Sequence, residues 1–342
     1  MPEISNLIEQ LAAGKNLNRK TVAGVFRTIM DGALTPAQTA SFLTALRIKG
    51  ETAEELAGAA EAMISRARAI KGGKGAVDLC GTGGDSKGSF NISTTASFIA
   101  AGADVPVAKH GNRSVSSPVG SADVLEAAGV KIDMDAKTAG HCLEKAGITF
   151  LFAPLFHPSM KNVAQVRKEM GVRTVFNILG PLVNPARVKN QLIGVPSREI
   201  MKKIAAAAKG LGLRRCMVVS GKDGMDEITV TGKTDVLELK NGSVRQYTID
   251  PSEFGIRKSA AAKLKGGRNS RENASIMKAV LYNRESGAKT DAALLNAAAA
   301  IYVSGKKKNM KSAFEAAKHS LESGAAMLKL KELTKFSANK KG

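Results

Sequence analysis

The sequence predicts an α/β protein: a small all-helical N-terminal domain, then a larger α/β domain with a mainly parallel central sheet covered by helices. Three observations predict it. The first 70 residues read as helices throughout. From Ala76 onward, short β-prone runs alternate with helical stretches. One segment, Glu227 to Ile249, alternates apolar and polar residues around Asn241-Gly242.

In the helical part, Val22, Val25, Phe26, Ile29 and Met30 follow the spacing of three and four that lays one apolar stripe along a helix. Thr35 before Pro36 places a cap ahead of a proline at the first helical position, and Thr52 with Glu55 fits a capping box. Lys71 to Gly75 is a Gly- and Lys-rich joint. The β-prone runs are AVDLC, PVAKHG, ITFLF, QLIGV and CMVVSG, and between them lie TTASFIAAGA, SADVLEAAG and REIMKKIAAAAKGLG, each with helical composition. Asn-Gly between two alternating runs is the signature of a tight antiparallel hairpin. From about Ser270 the chain returns to helices, including DAALLNAAAAIYV, and closes in a polar tail. We expect residues 1–71, joined by helices from about 160–187, to form the helical domain. Residues 72–159 and 188–342 then form the α/β domain.

The bulk properties narrow the function classes. The 342 residues are 44% hydrophobic, enough to bury a core of roughly two domains. No run approaches the ~18 to 20 apolar residues of a membrane helix, and the acidic start MPEISNLIEQ is unlike a signal peptide, so we expect a cytoplasmic protein without a membrane partner. Cys80, Cys142 and Cys216 are odd in number and widely separated, which indicates neither a disulfide framework nor a zinc site. The net charge of +21 is high for a metabolic enzyme, with lysines crowded at 306, 307, 308 and 311 and again at 340 and 341. With 4% aromatic residues and no Trp, a base-stacking surface has little support. We read a solvated basic surface that also focuses field toward a polyanionic substrate, and rank nucleic-acid binding below it.

Three segments carry chemistry. In DLCGTGGDSKGSFNISTT, Asp78 to Thr95, glycines 81, 83 and 84 follow a strand directly and let backbone N–H groups approach an anion, while Ser93, Thr94 and Thr95 open the next helix. Such a turn also serves merely to join strand to helix. KHGNRSVSSPVGS, Lys109 to Ser121, again follows a β-prone run, at the strand end where open α/β sheets place ligands. Two phosphate-type loops at successive strand ends suggest a ligand with phosphates at both ends, and phosphoribosyl pyrophosphate is such a molecule. Asp226-Glu227 follows CMVVSG; adjacent carboxylates there suit Mg²⁺ shared with substrate phosphates, although an acidic turn would look the same.

Taken together, GTGGD, NIST, KHGNR with the SS and GSAD after it, RTVFNILGPLVNPA and DGMDEI resemble, in order and spacing, the anthranilate phosphoribosyltransferase family over nearly the whole chain. The resemblance implies a homodimer, a fold similar to that of pyrimidine nucleoside phosphorylases, and a site in the cleft at the hinge. It implies that phosphoribosyl pyrophosphate meets Gly81, Gly84, Asp85, Ser89, Asn91, Ile92, Ser93 and Thr94, with Lys109, His110, Gly111, Asn112, Arg113, Ser117 and Ser121 closing around it. Ser93, Asp226 and Glu227 would hold Mg²⁺. Anthranilate would meet Gly81, Asn112 and Arg167, with Lys109, Asn112 and Arg167 the catalytic residues. His157 is expected to act behind these, and Arg173 as a structural ion-pair partner. Gly266-Gly267-Arg268, where relatives would carry an acid, is expected to lie outside the ligand set. The implied reaction passes the phosphoribosyl group to the amine of anthranilate in tryptophan biosynthesis. A nucleoside phosphorylase and a nucleic-acid-binding relative without catalysis are the competing readings.

Overall fold

The computed structural model describes residues 3–73, 75–114 and 119–338. Four helices come first: α1 (Ile4–Ala12), α2 (Arg19–Met30), α3 (Pro36–Lys49) and α4 (Ala53–Arg66). Side-chain caps start α3 and α4 where expected. Thr35 accepts from the Gln38 N–H with Pro36 at the first helical position, and Thr52 and Glu55 form the reciprocal box. The stripe from Val22 to Met30 is buried to 2% exposure or less, apart from the spacing residues between its members.

The rest alternates. Strand β1 (Val77–Gly81) leads to α5 (Ile92–Gly102), β2 (Val107–Gly111) to α6 (Ser121–Ala127) and α7 (Ala136–Ala146), and β3 (Ile148–Phe152) to the short α8 (Ala153–Phe156), then α9 (Lys161–Met170) and α10 (Phe176–Leu179). Then come β4 (Asn190–Gly194), α11 (Arg198–Gly210), β5 (Arg215–Gly221), β6 (Thr234–Lys240), β7 (Ser243–Ile249) and four helices, α12 (Ser270–Leu281), α13 (Ala288–Ser304), α14 (Met310–Glu322) and α15 (Ala325–Ala338). All five β-prone runs are strands. The seven-stranded sheet has the order β3-β2-β1-β4-β5-β6-β7, parallel through β5 and antiparallel at β6 and β7.

The hairpin turns at Asn241 and Gly242, both with positive φ (50° and 80°), as a tight turn matched to the strand twist requires. Its first strand begins at Thr234, so the alternation from Glu227 to Lys233 is not strand. That stretch is an irregular loop: the Ile228, Thr229 and Thr231 N–H groups donate to Asn296, Thr234 and Thr229 side chains, and the Val230 and Lys233 carbonyls accept from the Ser259 and Lys222 N–H groups.

Alternate residues of β4 and β5 enter two apolar cores. Leu192, Met217 and Val219 face one with α5 and α13; Ile193, Cys216 and Val218 face the other with α11 and helices α1 to α4. Burial on both faces explains why these strands read as continuous apolar runs. The second core also takes in Val163, Phe176, Leu179 and Val183, so the segment between β3 and β4 packs against the first four helices.

Candidate active site

The sheet order reverses between β1 and β4. Chain connections leave this point in opposite directions, and the gap at the carboxyl ends of the two strands is where open α/β sheets bind ligands. Gly81 and Gly194 end β1 and β4 side by side, and the Thr82 N–H donates to the Gly194 carbonyl at 2.9 Å. Asp226, from the loop after β5, lies directly over both glycines. A Cβ on Gly81 would sit 2.6 Å from Asp226 Oδ2, and one on Gly194 only 1.6 Å from the Asp226 carbonyl oxygen. Gly194→Ala is therefore expected to lose most activity in a chain that still folds, because the clash is with backbone and cannot be relieved by a side-chain rotation. Turnover alongside a circular dichroism melt tests this.

The acid pair is wired into the glycine loop and the helix behind it. The Gly83 N–H donates to Asp226 Oδ2 and the Ser93 N–H to Glu227 Oε1, both at 3.1 Å. Burial pushes both carboxyl groups well above their ordinary range; the neighbouring Asp85 charge adds to this for Asp226, and Asp226 does so for Glu227. Asp85 Oδ2 is buried without a hydrogen-bond partner, while its Oδ1 accepts from the Lys87 N–H. Lys109, 4% exposed, sends its ammonium to the Leu79 carbonyl (2.5 Å) and Ser93 Oγ (3.3 Å), and its charge draws Glu227 back toward ionisation. Crowded hard carboxylate oxygens with one orphaned acceptor suit a hard dication. Among the described residues no three His, Cys, Asp or Glu side chains converge closely enough to hold a metal alone, so phosphate and water oxygens would complete its shell.

Two glycine-loop residues also form one wall of a cleft of about 700 Å³. Gly83 and Gly84, with φ of 68° and 82°, line it beside Thr82, and Arg167, Lys168, Arg173 and Asn177 face them. Arg167 stacks over the Phe176 ring at 5.2 Å, burial disfavours its charged form, and no carboxylate lies within 4 Å of it among the described residues. Gly81 and Asn112 do not line this cleft. Arg173 corrects the expectation of a structural ion pair. Its guanidinium donates to the Gly84 carbonyl at 3.4 Å, its carbonyl accepts from Arg47 Nη1 at 2.6 Å, and it has no acidic partner among the described residues.

At β2 the second loop begins. Its register puts the His110 N–H on the buried carboxylate of Asp78, which also accepts from Asn184 Nδ2 at 2.7 Å. A charged residue inside AVDLC was the one signal of that anchor. His110 and His157 stand 5.2 Å apart between ring centres, and burial drives them down to about 3 and about 4, so both are neutral at pH 7. Gly111 makes room for Ser121 Oγ, which donates to the Asn112 carbonyl at 3.3 Å; Asn91 Nδ2 donates to the Val119 carbonyl.

Some assigned residues point elsewhere. Arg113 forms ion pairs at 2.8 Å with Asp123 and with Glu126 on α6 and stacks over Phe152. Ile92 and Thr94 are each only 1% exposed. Ser117 lies outside the described residues. The segment around Gly266 packs against the glycine loop. Ser89 bridges Lys265, and the Gly266 N–H donates to the Gly88 carbonyl, so residues 264–266 prop the glycine loop; Arg268 itself pairs with Glu272.

Comparison with known proteins agrees with this geometry. Residues 5–67 match the model of the glycosyl transferase family helical bundle domain, and residues 73–327 that of its a/b domain. A protein of Rubrobacter xylanophilus named anthranilate phosphoribosyltransferase is 47% identical over 96% of each chain. The chain belongs to the anthranilate phosphoribosyltransferase family. The structure of the Thermus thermophilus anthranilate phosphoribosyltransferase superposes with a TM-score of 0.91 at 40% identity, over 97% of this chain and 99% of that one. The Saccharomyces cerevisiae anthranilate phosphoribosyltransferase in complex with PRPP and Mg gives 0.88 at 28% identity, over 98% of both chains. Gly194, which no sequence motif singled out, shares with Gly81 the gap under Asp226. A cavity of about 800 Å³ at the other end of the sheet, beside Lys71, Pro106 and α7, contains none of the assigned residues. No helix among the described residues is long and apolar enough to cross a membrane.

Proposed function

We propose that the chain transfers the 5-phosphoribosyl group of phosphoribosyl pyrophosphate to the amine of anthranilate, releasing pyrophosphate, in tryptophan biosynthesis. The observation that carries the reading is the meeting, at one strand-order reversal, of a glycine loop, a buried lysine and three crowded carboxylates beside a cationic cleft. The relatives named above support the choice of donor and acceptor.

In this reading Gly81, Gly84, Asp85, Ser89, Asn91, Ile92, Ser93 and Thr94 bind the sugar donor. The second loop, Lys109 to Asn112 with Arg113, Ser117 and Ser121, closes on it. The C1–oxygen bond to pyrophosphate breaks with its electron pair leaving on oxygen. The amine lone pair forms the C1–N bond, and the amine then releases a proton. Lys109 stabilises the charge gathering on the leaving group, where a fixed donor in a water-poor site acts most strongly. Arg167 holds the carboxylate of anthranilate, aided by Asn112 and Gly81, so that the amine is presented in line.

Asp226, Glu227 and Ser93 would hold Mg²⁺. When bound there, Mg²⁺ supplies positive charge that neutralises phosphate oxygens. We further propose residues 1–71 with about 160–187 as one domain and 72–159 with 188–342 as the other. The protein would act as a cytoplasmic homodimer that does not depend on nucleic acid.

Mixing the protein with anthranilate, phosphoribosyl pyrophosphate and Mg²⁺ is expected to quench anthranilate fluorescence. A folded sample that leaves the fluorescence unchanged, with anthranilate and with related aromatic amines, contradicts the proposal. Release of base from a nucleoside by phosphate would favour the phosphorylase reading instead.

A further inference from the structure

We infer that Asn296, in the middle of α13, and Asp223, three residues ahead of the acid pair, are positioning residues that aim the Asp226 and Glu227 carboxylates. The inference rests on the proposed role of that pair. Residues 226 and 227 lie in the irregular stretch between β5 and β6, where no neighbouring strand supplies backbone partners. Something else must hold them.

On the far side it is Asn296. Its Oδ1 accepts from the Ile228 N–H at 3.0 Å and its Nδ2 donates to the Ile228 carbonyl at 2.9 Å, so a helix side chain stands in for a paired strand at the residue next to Glu227. The second Nδ2 hydrogen goes to the Ala292 carbonyl at 2.9 Å. Asn296 is fully buried in an alanine-rich helix, where an unpaired amide would cost stability and an apolar residue would pack more simply. Its polar atoms serve the loop.

On the near side, Asp223 Oδ1 accepts from the Met225 N–H at 3.0 Å, and Oδ2 accepts from the hydroxyls of Thr229 (2.8 Å) and Thr231. The Gly221 N–H donates to the Met225 carbonyl at 2.8 Å, and Gly224 turns with φ of 85°. The carboxylate thus ties residues on both flanks of the acid pair together. The two clamps thus hold the chain on both sides of Asp226 and Glu227, with Asp226 over Gly81 and Gly194. Supporting groups of this kind typically alter metal affinity by roughly 10- to 100-fold.

Mn²⁺ binding in the presence of phosphoribosyl pyrophosphate, followed by electron paramagnetic resonance, tests this without relying on turnover. We expect Asn296→Leu and Asp223→Ala to weaken binding about tenfold or more and to lower kcat, with the KM for anthranilate unchanged. Asp223→Asn, which keeps an acceptor for Met225 and a polar partner for both hydroxyls, is expected to recover most of the affinity. Folded variants with wild-type Mn²⁺ affinity overturn the inference, and the Asp223 variants decide it should Asn296→Leu not fold. Glu227→Gln serves as the reference: if it too binds Mn²⁺ like wild type, the metal role of the acid pair falls, and the inference with it.

Discussion

Replacing Asp226 with Asn, or Glu227 with Gln, is expected to lower turnover at saturating substrates by about 100-fold or more, the range seen when preorganised charge is removed from a developing ionic centre. The same variants are expected to be more heat-stable than wild type when no metal is present. Burial and mutual repulsion hold both carboxyl groups above their unfolded values, so the folded chain binds more protons than the unfolded chain through that window. Stability of the metal-free protein therefore falls as pH rises through it, and the amide variants remove the penalty. Melting temperatures at pH 8 and pH 5 without divalent cations test the sign: the variant should exceed wild type at pH 8, with the gap closing at pH 5. The difference between the two proteins is the quantity to read, because neutral buried His110 and His157 act in the opposite sense as acid is added. Loss of activity with no gain in stability would mean that the pair is already compensated by the fold.

Arg167→Ala is expected to raise the KM for anthranilate roughly 10- to 100-fold with a smaller effect on kcat, since a hydrogen bond to a charged partner contributes about 1.5 to 3 kcal/mol. Arg167→Lys should recover little, because the planar fork and its stacking over Phe176 are lost. Steady-state kinetics with each substrate varied in turn separates the outcomes. An unchanged KM would move the carboxylate to another cation of the cleft, and Arg173 and Arg47 are the neighbours that could take it.

Much of the architecture was legible because it rests on local rules. The stripe from Val22 to Met30, the Thr35 and Thr52 caps, the five apolar strands and the Asn241-Gly242 turn each depend on residues within a few positions of one another. The site was legible in part for the same reason: GTGGD and KHGNR each sit within one loop after one strand. Where local pattern misled, a distant partner was responsible. Glu227 to Lys233 alternates like a strand, but the Asn296 amide and the hydroxyls of Thr234 and Thr229 occupy backbone bonds a neighbouring strand would use. Arg173 has the charge of an ion-pair partner, yet the fold brings it to the Gly84 carbonyl, 89 residues away, instead of to an acid.

By itself, then, the amino-acid order determined the helical and α/β composition, the two glycine-bearing loops that follow β1 and β2, and the family to which the chain belongs, because turn chemistry, capping and periodicity act over a few residues. Only the tertiary structure decided that Gly194 must be a glycine, that Arg113 spends its charge on α6, and that Asp85 joins Asp226 and Glu227 in one crowded acid cluster. The facts at Gly194 and Asp85 depend on which strand ends lie side by side where the sheet order reverses, and adjacency across more than a hundred residues leaves no mark on local sequence; the Arg113 pairing spans only 10 and 13 residues, but the turn into α6 decides it.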